Sequence, residues 1–483
     1  MQPSTARGDA PVRRLRSAGI AGSVAPGALV AIAAAIAFLP QVINPDSVYA
    51  LIWGRQLAHG DLASFAPGPT PHPLPIAAGL VTSVFGIDGS YAITHIVFGP
   101  LSLGLLVAAV FALASRLASP LAGCLAVPVL ITSAPILGWA ATARYDILFA
   151  ALIVGALAYP KRGGIAPFAL LAAAGLIRPE AWVIAACWWL WEARVMTNRS
   201  RLQSASLVAL APVVWMVMDA AVTGDPLWSL HVTDSASDAL YGRYSRLENL
   251  RQGGRDLLAC AGLAPIVIVA LSAVRRRAGP SGVPAPVIGV LALTIGIFVL
   301  LVLAGMASSE RYLLVPACLL AVMAAVAVAR AKSGRRAFFI AGLLLLLLQA
   351  LARVDAPADI RVQLEPSAER VRQTRELADR SDVAAMLVRC ASAAVPSRRL
   401  VARWAYFGDR PPDRWSFDVP RNSRPDVFIA PASRAAAEAL LTRPRFDDDA
   451  GFIVPNGLRR GPRTADWQIY VSATSDCVRP IGT

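Results

Sequence analysis

The most informative shortage in this 483-residue sequence is charge, because only 16% of the residues are Asp, Glu, Lys or Arg while 56% are hydrophobic. A soluble domain carries roughly a quarter charged residues, so the composition excludes an ordinary soluble protein. Apolar runs of about 16–22 residues recur along the chain and are long enough to cross a bilayer as helices. The sequence therefore predicts a polytopic α-helical membrane protein.

Three further absences narrow the possibilities. The six cysteines show no Cys-x-x-Cys or Cys/His spacing, so no motif indicates a metal site. No sequence repeat and no low-complexity linker divides the chain. The first apolar stretch ends without a small-x-small cleavage site, which favours an uncleaved first helix over a signal peptide.

Positive charge is in excess, with a formal net charge of +15 that comes mostly from arginine. The arginines fill short loops between apolar runs, as the positive-inside rule expects of cytoplasmic loops. This distribution argues against nucleic acid as a partner. It also predicts a cytoplasmic basic N-terminus, residues 1–23.

Charge accounting predicts about eleven transmembrane helices within residues 24–352. Residues 163–191 decide the count, because Arg178-Pro179-Glu180 interrupts this apolar segment at its centre. A single span there would place the later arginine clusters outside, whereas a hairpin of two short helices broken at Pro179 returns them to the cytoplasm. The predicted spans are 24–43, 92–115, 120–139, 146–160, two within 163–191, 204–222, 257–274, 284–304, 312–329 and 337–352, with an interfacial segment at 74–86.

The last part of the chain, residues 353–483, changes character, since 17 of the 31 acidic residues lie after position 350. It predicts an extracytoplasmic soluble α/β domain, large enough for its own core. Outside the cytoplasm Cys390 and Cys477 could pair, with two unpaired thiols as the alternative. The predicted elements are helices at 377–394 and 434–441 and strands at 426–430, 451–454 and 467–471.

Polar residues collect at helix ends on the outer side of this topology, where ionisable groups are costly and are functional candidates. They are Asp46 with Arg55, His59 and His72; Arg144 with Asp146; Arg178 with Glu180; Asp225; and Glu310 with Arg311 and Tyr312. The middles of the long helices are nearly free of charge. This argues against the rival class, a transporter or flippase of a lipid-linked substrate, which would place ionisable groups near the bilayer centre.

A polar site at the outer rim suits the transfer of a sugar from a polyprenyl phosphate to a water-borne acceptor. The leaving phosphate needs cations, and arginine binds phosphate through paired hydrogen bonds. The acceptor hydroxyl is a weak nucleophile and needs a carboxylate base. Acids and arginines together favour a single displacement with inversion at the sugar carbon. These residues require no metal and no other cofactor, although an acid-rich rim could hold a divalent cation.

Six short motifs occur in order between about residues 25 and 330: Asp46 after the first helix, His72-Pro73-Leu74, Arg144-Tyr145-Asp146, Gly175 to Glu180, Gly224-Asp225-Pro226 and Glu310 to Pro316. With these motifs the chain resembles the GT-C superfamily of membrane glycosyltransferases, such as protein O-mannosyltransferases and lipid A aminoarabinose transferases. Many relatives carry two adjacent acids after the first helix and a His-Pro-Pro element. This chain has Pro45 and Ser47 beside the acid and Leu74 after His-Pro, which leaves the identity of the substrate open.

The resemblance implies an extracytoplasmic active site in the cell membrane, a polyprenyl-phosphate sugar donor, and a glycan, lipid or protein acceptor of the cell envelope. It implies Asp46 as the catalytic base and Asp146 as the second catalytic acid. Arg178 and Arg311 are predicted to hold the lipid phosphate. The complete set predicted to bind substrate is His72, Arg144, Arg178, Glu180, Glu310, Arg311 and Tyr312.

Each of these residues also has a structural explanation. Asp46 could simply end a helix in water, and His72 could be a loop residue between prolines. Arg178 and Glu180 could be a mutual ion pair at a hairpin tip, and Glu310 with Arg311 an interfacial pair. A chain that only anchors the outer domain would, however, leave the aligned charges at the rim unexplained.

Overall fold

The computed structural model describes residues 10–39, 41–65, 68, 70–159, 163–231, 245–275, 284–305, 310–331, 336–417, 419–420, 422–434, 436–437, 454–475 and 477. The chain forms two compact units. The first consists of Met1–Leu39, Ile96–Trp215 and Gly242–Arg361, and the second of Pro40–His95, Met216–Tyr241 and Val362–Thr483.

The described helices, in chain order, are α1 Ala10–Ala37, α2 Pro45–Ala58, α3 Pro73–Thr82, α4 Gly86–Ile96, α5 Ser102–Leu117, α6 Pro120–Ile131, α7 Ala134–Ala141, α8 Asp146–Ala158, α9 Ala166–Gly175, α10 Glu180–Glu192, α11 Asn198–Thr223, α12 Arg246–Ala261, α13 Leu263–Arg275, α14 Ala285–Leu303, α15 Leu314–Ala329, α16 Arg336–Leu351, α17 Ala356–Ala378, α18 Ser381–Arg389 and α19 Arg398–Phe407. A π-helical turn, Val97–Leu101, joins α4 to α5, and a 3₁₀ turn, Glu310–Leu313, precedes α15. The strands are β1 Ala393–Val395, β2 Trp415–Phe417, β3 Val427–Pro431, β4 Leu458–Arg463 and β5 Trp467–Ser472.

The first unit is a helical bundle with α15 at its centre. This helix is almost fully buried and contacts α5, α6, α8, α12, α13, α14 and α16. Helices α1 and α5 approach closely, because a Cβ atom on Gly27 would lie 2.6 Å from the carbonyl oxygen of Gly104. Small residues at such crossings let apolar membrane helices pack backbone against backbone.

Within the described residues, five helices are long and apolar enough to cross a membrane, or up to seven if each bent pair is one span. The bent pairs are α6 with α7, at 71°, and α12 with α13, at 99°. The break between α12 and α13 is bridged by Gln349 on α16, which accepts from Ala264 N at 2.9 Å and donates to the oxygen of Ala261 at 3.1 Å. Such pairing supplies partners to the backbone groups that a broken helix frees in an apolar setting.

The predicted break within residues 163–191 is present. Helix α9 ends at Gly175, helix α10 begins at Glu180, and the two helices pack together. The total of eleven spans, and the division of the chain at residues 23 and 352, stay predictions.

The part of the second unit that precedes α4 is built on α2 and α3. Helix α2 begins at Pro45, and the side chain of Asn44 caps it by accepting from Asp46 N at 2.9 Å. The two helices touch at Gly54 and Gly79, where an added Cβ on Gly54 would come within 2.3 Å of the other backbone. Helix α3 and the following 3₁₀ turn occupy the segment that was predicted to be interfacial.

The C-terminal part of the second unit carries a five-stranded sheet in the order β2-β1-β3-β5-β4. Strand β1 is parallel to β2 and β3, while β5 is antiparallel to β3 and β4. Trp404 of α19 meets Trp467 of β5 edge-to-face at 5.2 Å, and Phe428 packs against Tyr470 on the sheet. The α/β class predicted for this part of the chain is confirmed.

The predicted helix at 377–394 is confirmed only over residues 381–389, and its C-terminal end is wrong. Helix α18 ends at Arg389, and residues 393–395 form β1, buried between β2 and β3. Pairing with strands distant in sequence decides the conformation of this short Ala-Ala-Val segment, whose composition alone also fits a helix. Helices α17 and α19 are elements that the sequence pattern did not predict.

The strands predicted at 426–430 and 467–471 correspond to β3 and β5. Strand β4 is an antiparallel neighbour of β5. Of the predicted strand 451–454, residues 451–453 lie outside the described part of the chain. Residues 435 and 438–441 of the predicted helix 434–441 lie outside it as well. Cys390 and Cys477 form a disulfide bond, which decides between the two alternatives left open by the sequence.

Candidate functional site

Arg178 lies at the centre of a buried ion cluster in the first unit. Its side chain is as buried as that of Asp146, each being 6% exposed. Its Nη1 donates to Oδ1 of Asp146, its Nη2 to Oε1 of Glu180 at 2.6 Å and its Nε to Oε2 of Glu180 at 3.3 Å. Two carboxylates therefore engage three nitrogens of one guanidinium group, the arrangement in which arginine makes its strongest hydrogen bonds.

Local sequence explains why these three side chains meet. The break before Pro179 leaves Arg178 between two helices rather than inside one. Glu180 is the first residue of α10, and Asp146 is the first residue of α8. A carboxylate is favoured at a helix N-terminus by the helix dipole, so both acids sit where the backbone stabilises their charge.

Aromatic rings cover the remaining faces of the guanidinium group. The guanidinium carbon of Arg178 lies 4.6 Å from the ring centroid of Tyr312 and 5.7 Å from that of Phe149. The same Tyr312 ring also lies 5.8 Å from the guanidinium carbon of Arg311. Cation–π contacts of this kind favour arginine over lysine, and they place Tyr312 beside two arginines at once.

Two more arginines border the cluster. Arg311 and Arg144 both act electrostatically on the carboxylate of Asp146. The Nε of Arg144 is buried without a hydrogen-bond partner in the described part of the chain. The cluster therefore contains three arginines, Arg144, Arg178 and Arg311, and two carboxylates, those of Asp146 and Glu180. Its formal net charge is positive.

An open pocket lies against this cluster. One wall is charged and another is apolar, with Phe149, Ile297 and Val315 from three different helices. The residues that line it are Phe149, Arg178, Glu180, Thr294, Ile297, Arg311, Tyr312 and Val315. The pocket therefore combines charged and apolar lining residues.

The turn that leads into Asp146 is strained. Ala143 has φ +53°, a left-handed conformation that costs an alanine about 1–2 kcal/mol. The turn is held in place by Arg144 N, which donates to the oxygen of Trp139 at 2.9 Å, and by Tyr145, whose ring packs edge-on against Phe98. Backbone strain of this kind is concentrated at functional sites.

Asp46 belongs to the second unit and lies half-buried in the first turn of α2. One turn later Tyr49 is buried and stacks on Trp53 at 5.3 Å. Burial raises the pKa of Tyr49; the charge of Arg398 opposes this rise, and that of Asp46 adds to it. Asp46 and Arg398 therefore both act on the Tyr49 hydroxyl.

The other residues of the predicted group around Asp46 have different surroundings. His72 is the N-cap residue of α3, half-buried, and its side chain makes no capping hydrogen bond. His59 is exposed at the end of α2, with Nδ1 2.8 Å from the oxygen of Arg55. Arg55 forms an ion pair with Asp409 at 3.0 Å.

Five of the predicted site residues meet directly in the first unit: Asp146, Arg178, Glu180, Arg311 and Tyr312. Arg144 borders them, while Glu310 accepts a hydrogen bond from Trp139 Nε1 at 3.3 Å. Asp46 and His72 lie in the second unit. The ion pair offered as the structural explanation of Arg178 and Glu180 is present.

Sequence reasoning missed five residues of this region: Phe149, Thr294, Ile297 and Val315 of the pocket, and Trp139. Phe149 follows Asp146 by three residues and so shares its helix face, a spacing that could have indicated it. Nothing local distinguishes Thr294 or Trp139. In the part of the chain that the structure describes, no group of three or more His, Cys, Asp or Glu side chains could hold a metal ion.

No family model matches the sequence, and no curated protein matches it either. Solved structures that are similar in fold include two crystal structures of ArnT from Cupriavidus metallidurans, one bound to undecaprenyl phosphate, with a TM-score of 0.60, and one in the apo state, with a TM-score of 0.59. Each is 14% identical in sequence, and each match covers 95% of this chain and 99% of the other. The predicted fold class, a helical chain with a C-terminal α/β part, is thereby confirmed: the chain has the fold of these ArnT structures.

Proposed function

We propose that this protein is a membrane glycosyltransferase that takes a sugar from a polyprenyl phosphate and places it on an acceptor of the cell envelope. The observation that carries the proposal is the group of three arginines and two carboxylates, with Arg178 and Asp146 buried, beside a partly apolar pocket. The fold supports it, because a protein of the same fold has been crystallised with undecaprenyl phosphate.

The first unit supplies the lipid-phosphate site. Three nitrogens of Arg178 already donate hydrogen bonds to Asp146 and Glu180, so the main role of Arg178 is to stabilise the arrangement of the cluster. Arg311, which lines the same pocket, is the better phosphate ligand, and Arg144 supports it with a second positive charge. The apolar wall of the pocket receives the first isoprene units of the lipid.

Asp146 is the second acidic residue of the site. Its role is to orient Arg178, and it does not transfer a proton. A carboxylate whose charge is neutralised by a bound guanidinium group is a weak base. Glu180 shares that role, and Tyr312 fixes the guanidinium planes of its two arginine neighbours. His72 and Glu310 remain proposed substrate contacts on the strength of the motifs that contain them.

Asp46 in the second unit is the proposed catalytic base. Its carboxylate takes the proton of the acceptor hydroxyl while the hydroxyl oxygen bonds to the anomeric carbon of the sugar. The bond between that carbon and the phosphate oxygen breaks in the same step, with inversion, and the polyprenyl phosphate leaves with the bonding electron pair. The proton then passes from Asp46 to water. Cations beside the phosphate stabilise the charge that develops on the leaving group.

The disulfide between Cys390 and Cys477 supports an extracytoplasmic position for the C-terminal domain, since disulfides persist in oxidising compartments. We place this domain and Asp46 outside the cytoplasm, in a multi-pass protein of the cell membrane. The acceptor is then an envelope glycan, lipid or protein.

The proposal is tested with the full-length protein in proteoliposomes that contain radiolabelled undecaprenyl-phosphate sugars and an extract of envelope acceptors. Release of undecaprenyl phosphate is measured, because every transfer reaction of this class produces it. We expect release by the wild type and a loss of about 10- to 100-fold in Arg311→Ala. Arg199→Ala, an exposed arginine of the same unit, is the matched control and should be unaffected.

Movement of an intact labelled lipid across the bilayer without bond cleavage would replace the transferase by a flippase. Full activity of both Arg311→Ala and Arg144→Ala would remove the proposed phosphate site.

A further inference from the structure

Helix α2, which carries Asp46, is tied at its C-terminal end to helix α19 of the C-terminal domain. Arg55 forms an ion pair with Asp409 at 3.0 Å and donates to the oxygen of Tyr406 at 3.3 Å. The guanidinium carbon of Arg55 also lies 5.2 Å from the centroid of the Tyr406 ring. The side chain of Arg55 is 17% exposed, whereas that of Asp409 is 74% exposed, so the ion pair itself contributes little and the contacts of Arg55 with Tyr406 carry most of this link.

A second tie reaches the middle of α2 through Gly68. The Nη2 of Arg398 on α19 donates to the oxygen of Gly68. Gly68 in turn lies flat on the aromatic face of α2, because an added Cβ would come within 2.3 Å of the Trp53 ring and 3.3 Å of the Tyr49 ring. Tyr49 and Trp53 follow Asp46 by three and seven residues, which places them on the same helix face.

A third tie holds the chain just before α2. The hydroxyl of Tyr91 accepts a hydrogen bond from Ile43 N at 2.9 Å, three residues ahead of Asp46. The Tyr91 ring packs against Tyr406 at 6.0 Å and Phe407 at 5.6 Å, both on α19. Helix α19 therefore supports the N-terminal side, the middle and the C-terminal end of the segment that carries the acid.

We infer that the C-terminal domain is a clamp that positions Asp46, with Arg398 and Tyr406 as its positioning residues. The expected effect on turnover rests on the proposed function, whereas the support that the C-terminal domain gives to α2 does not depend on it. A helix of 14 residues is marginal in isolation, so it needs tertiary contacts to hold a base in place. A misplacement of about 1 Å can lower a rate by about 100-fold.

The clamp also explains the charge environment of α2. The guanidinium group that reaches Gly68 is the one that counteracts the rise in the pKa of Tyr49, beside the carboxylate of Asp46. The C-terminal domain thus sets both the position of the helix and part of the electrostatic field around its acid.

The test uses the full-length Arg398→Ala protein and two readouts. Hydrogen exchange of the amides of residues 45–58 should become about tenfold faster, since one tie is lost. For release of undecaprenyl phosphate, kcat should fall by about 10- to 100-fold while KM for the donor changes by less than about threefold. Arg398→Lys should recover part of both effects, because an ammonium group can still donate to the Gly68 oxygen.

Arg424→Ala, an exposed arginine of the same domain, is the matched control and should leave both readouts unchanged. Tyr91→Phe is a second variant, which removes only a hydroxyl group, and Tyr470→Phe on β5 is its control. If Arg398→Ala does not fold, the exchange rates of Tyr91→Phe test the clamp. Unchanged exchange of residues 45–58 in folded Arg398→Ala or Tyr91→Phe would overturn the clamp. Absence of turnover in the wild type would instead refute the transferase proposal. The hydrogen exchange of residues 45–58 would still test the clamp.

Discussion

The two units hold their acids in opposite ways. In the first unit Asp146 is buried and its charge is neutralised by Arg178, within a cluster that is largely self-contained. In the second unit Asp46 is half-buried at the start of a short helix, and the position of that helix depends on contacts made by a distant part of the chain. The surroundings of Asp146 are those of an acid that stabilises a charged cluster, whereas those of Asp46 are compatible with its proposed role as a base.

Removing the guanidinium group of Arg178 from the first unit should have the largest effect on stability. Arg178→Met leaves Asp146 and Glu180 buried or half-buried without their partner, and we expect a loss of about 3–5 kcal/mol in the free energy of unfolding. Denaturation in mixed micelles measures it. The triple variant with Asp146→Asn and Glu180→Gln should regain most of the stability, because neutral side chains no longer need the cation. An equal loss in both variants would show that packing, not charge, maintains the cluster.

Exchanging each acid for its amide separates the two roles. Asp46→Asn should lower the release of undecaprenyl phosphate by about 10²- to 10⁴-fold, the usual contribution of a general base, with little change in thermal stability. Asp146→Asn should lower the melting temperature as well, because it removes the charge that faces Arg178. Asp61→Asn, an exposed acid near the end of α2, serves as the control. Normal turnover in Asp46→Asn would remove that residue as the base.

The sequence predicted some parts of the structure well, for physical reasons that are local. Hydropathy placed the helices of the bundle, and Pro179 located the break at which Arg178 lies, because proline removes a backbone donor wherever it occurs. The alternation of acids and arginines at helix ends indicated the members of the ion cluster. The ion pair between Arg178 and Glu180 was among the explanations that the sequence offered. The hydrogen bond of Glu310 with Trp139 was not predicted, because it depends on tertiary packing.

The C-terminal domain was predicted less well because its structure depends on pairing over long sequence separations. Strand β1 is only three residues long and is defined by its neighbours β2 and β3. Arg398 and Tyr406 carry no motif that would mark them as contacts of a segment more than 300 residues earlier. Such contacts become visible only when the folded chain is known.

A smaller effect should come from the strained turn in the first unit. Ala143→Gly relieves a positive φ of 53° and should stabilise the protein by about 1 kcal/mol, less any cost of the lost methyl group. Thermal unfolding in detergent measures the change. A destabilisation larger than the cost of one buried methyl group would mean that the alanine side chain matters more to packing at this turn than the strain does.

The smallest effect concerns an acid of the second unit that is only structural. Burial alone would raise the pKa of Asp426, but hydrogen bonds from Ser392 and Ser475 lower it below its usual range. A carboxyl group with a depressed folded pKa contributes stability above its unfolded pKa of about 3.9 and loses it as the pH falls through the folded value. Asp426→Asn should therefore lower the melting temperature at pH 7 and approach the wild type as the pH falls through the folded pKa of Asp426. A constant difference across this range would contradict the assignment.

The most direct test of the central claim is a cryo-EM density map of the protein with bound undecaprenyl phosphate. The account predicts phosphate density within hydrogen-bonding distance of Arg311 or Arg144, with the first isoprene units against Phe149 and Val315. A lipid phosphate bound away from every arginine of the cluster would contradict it.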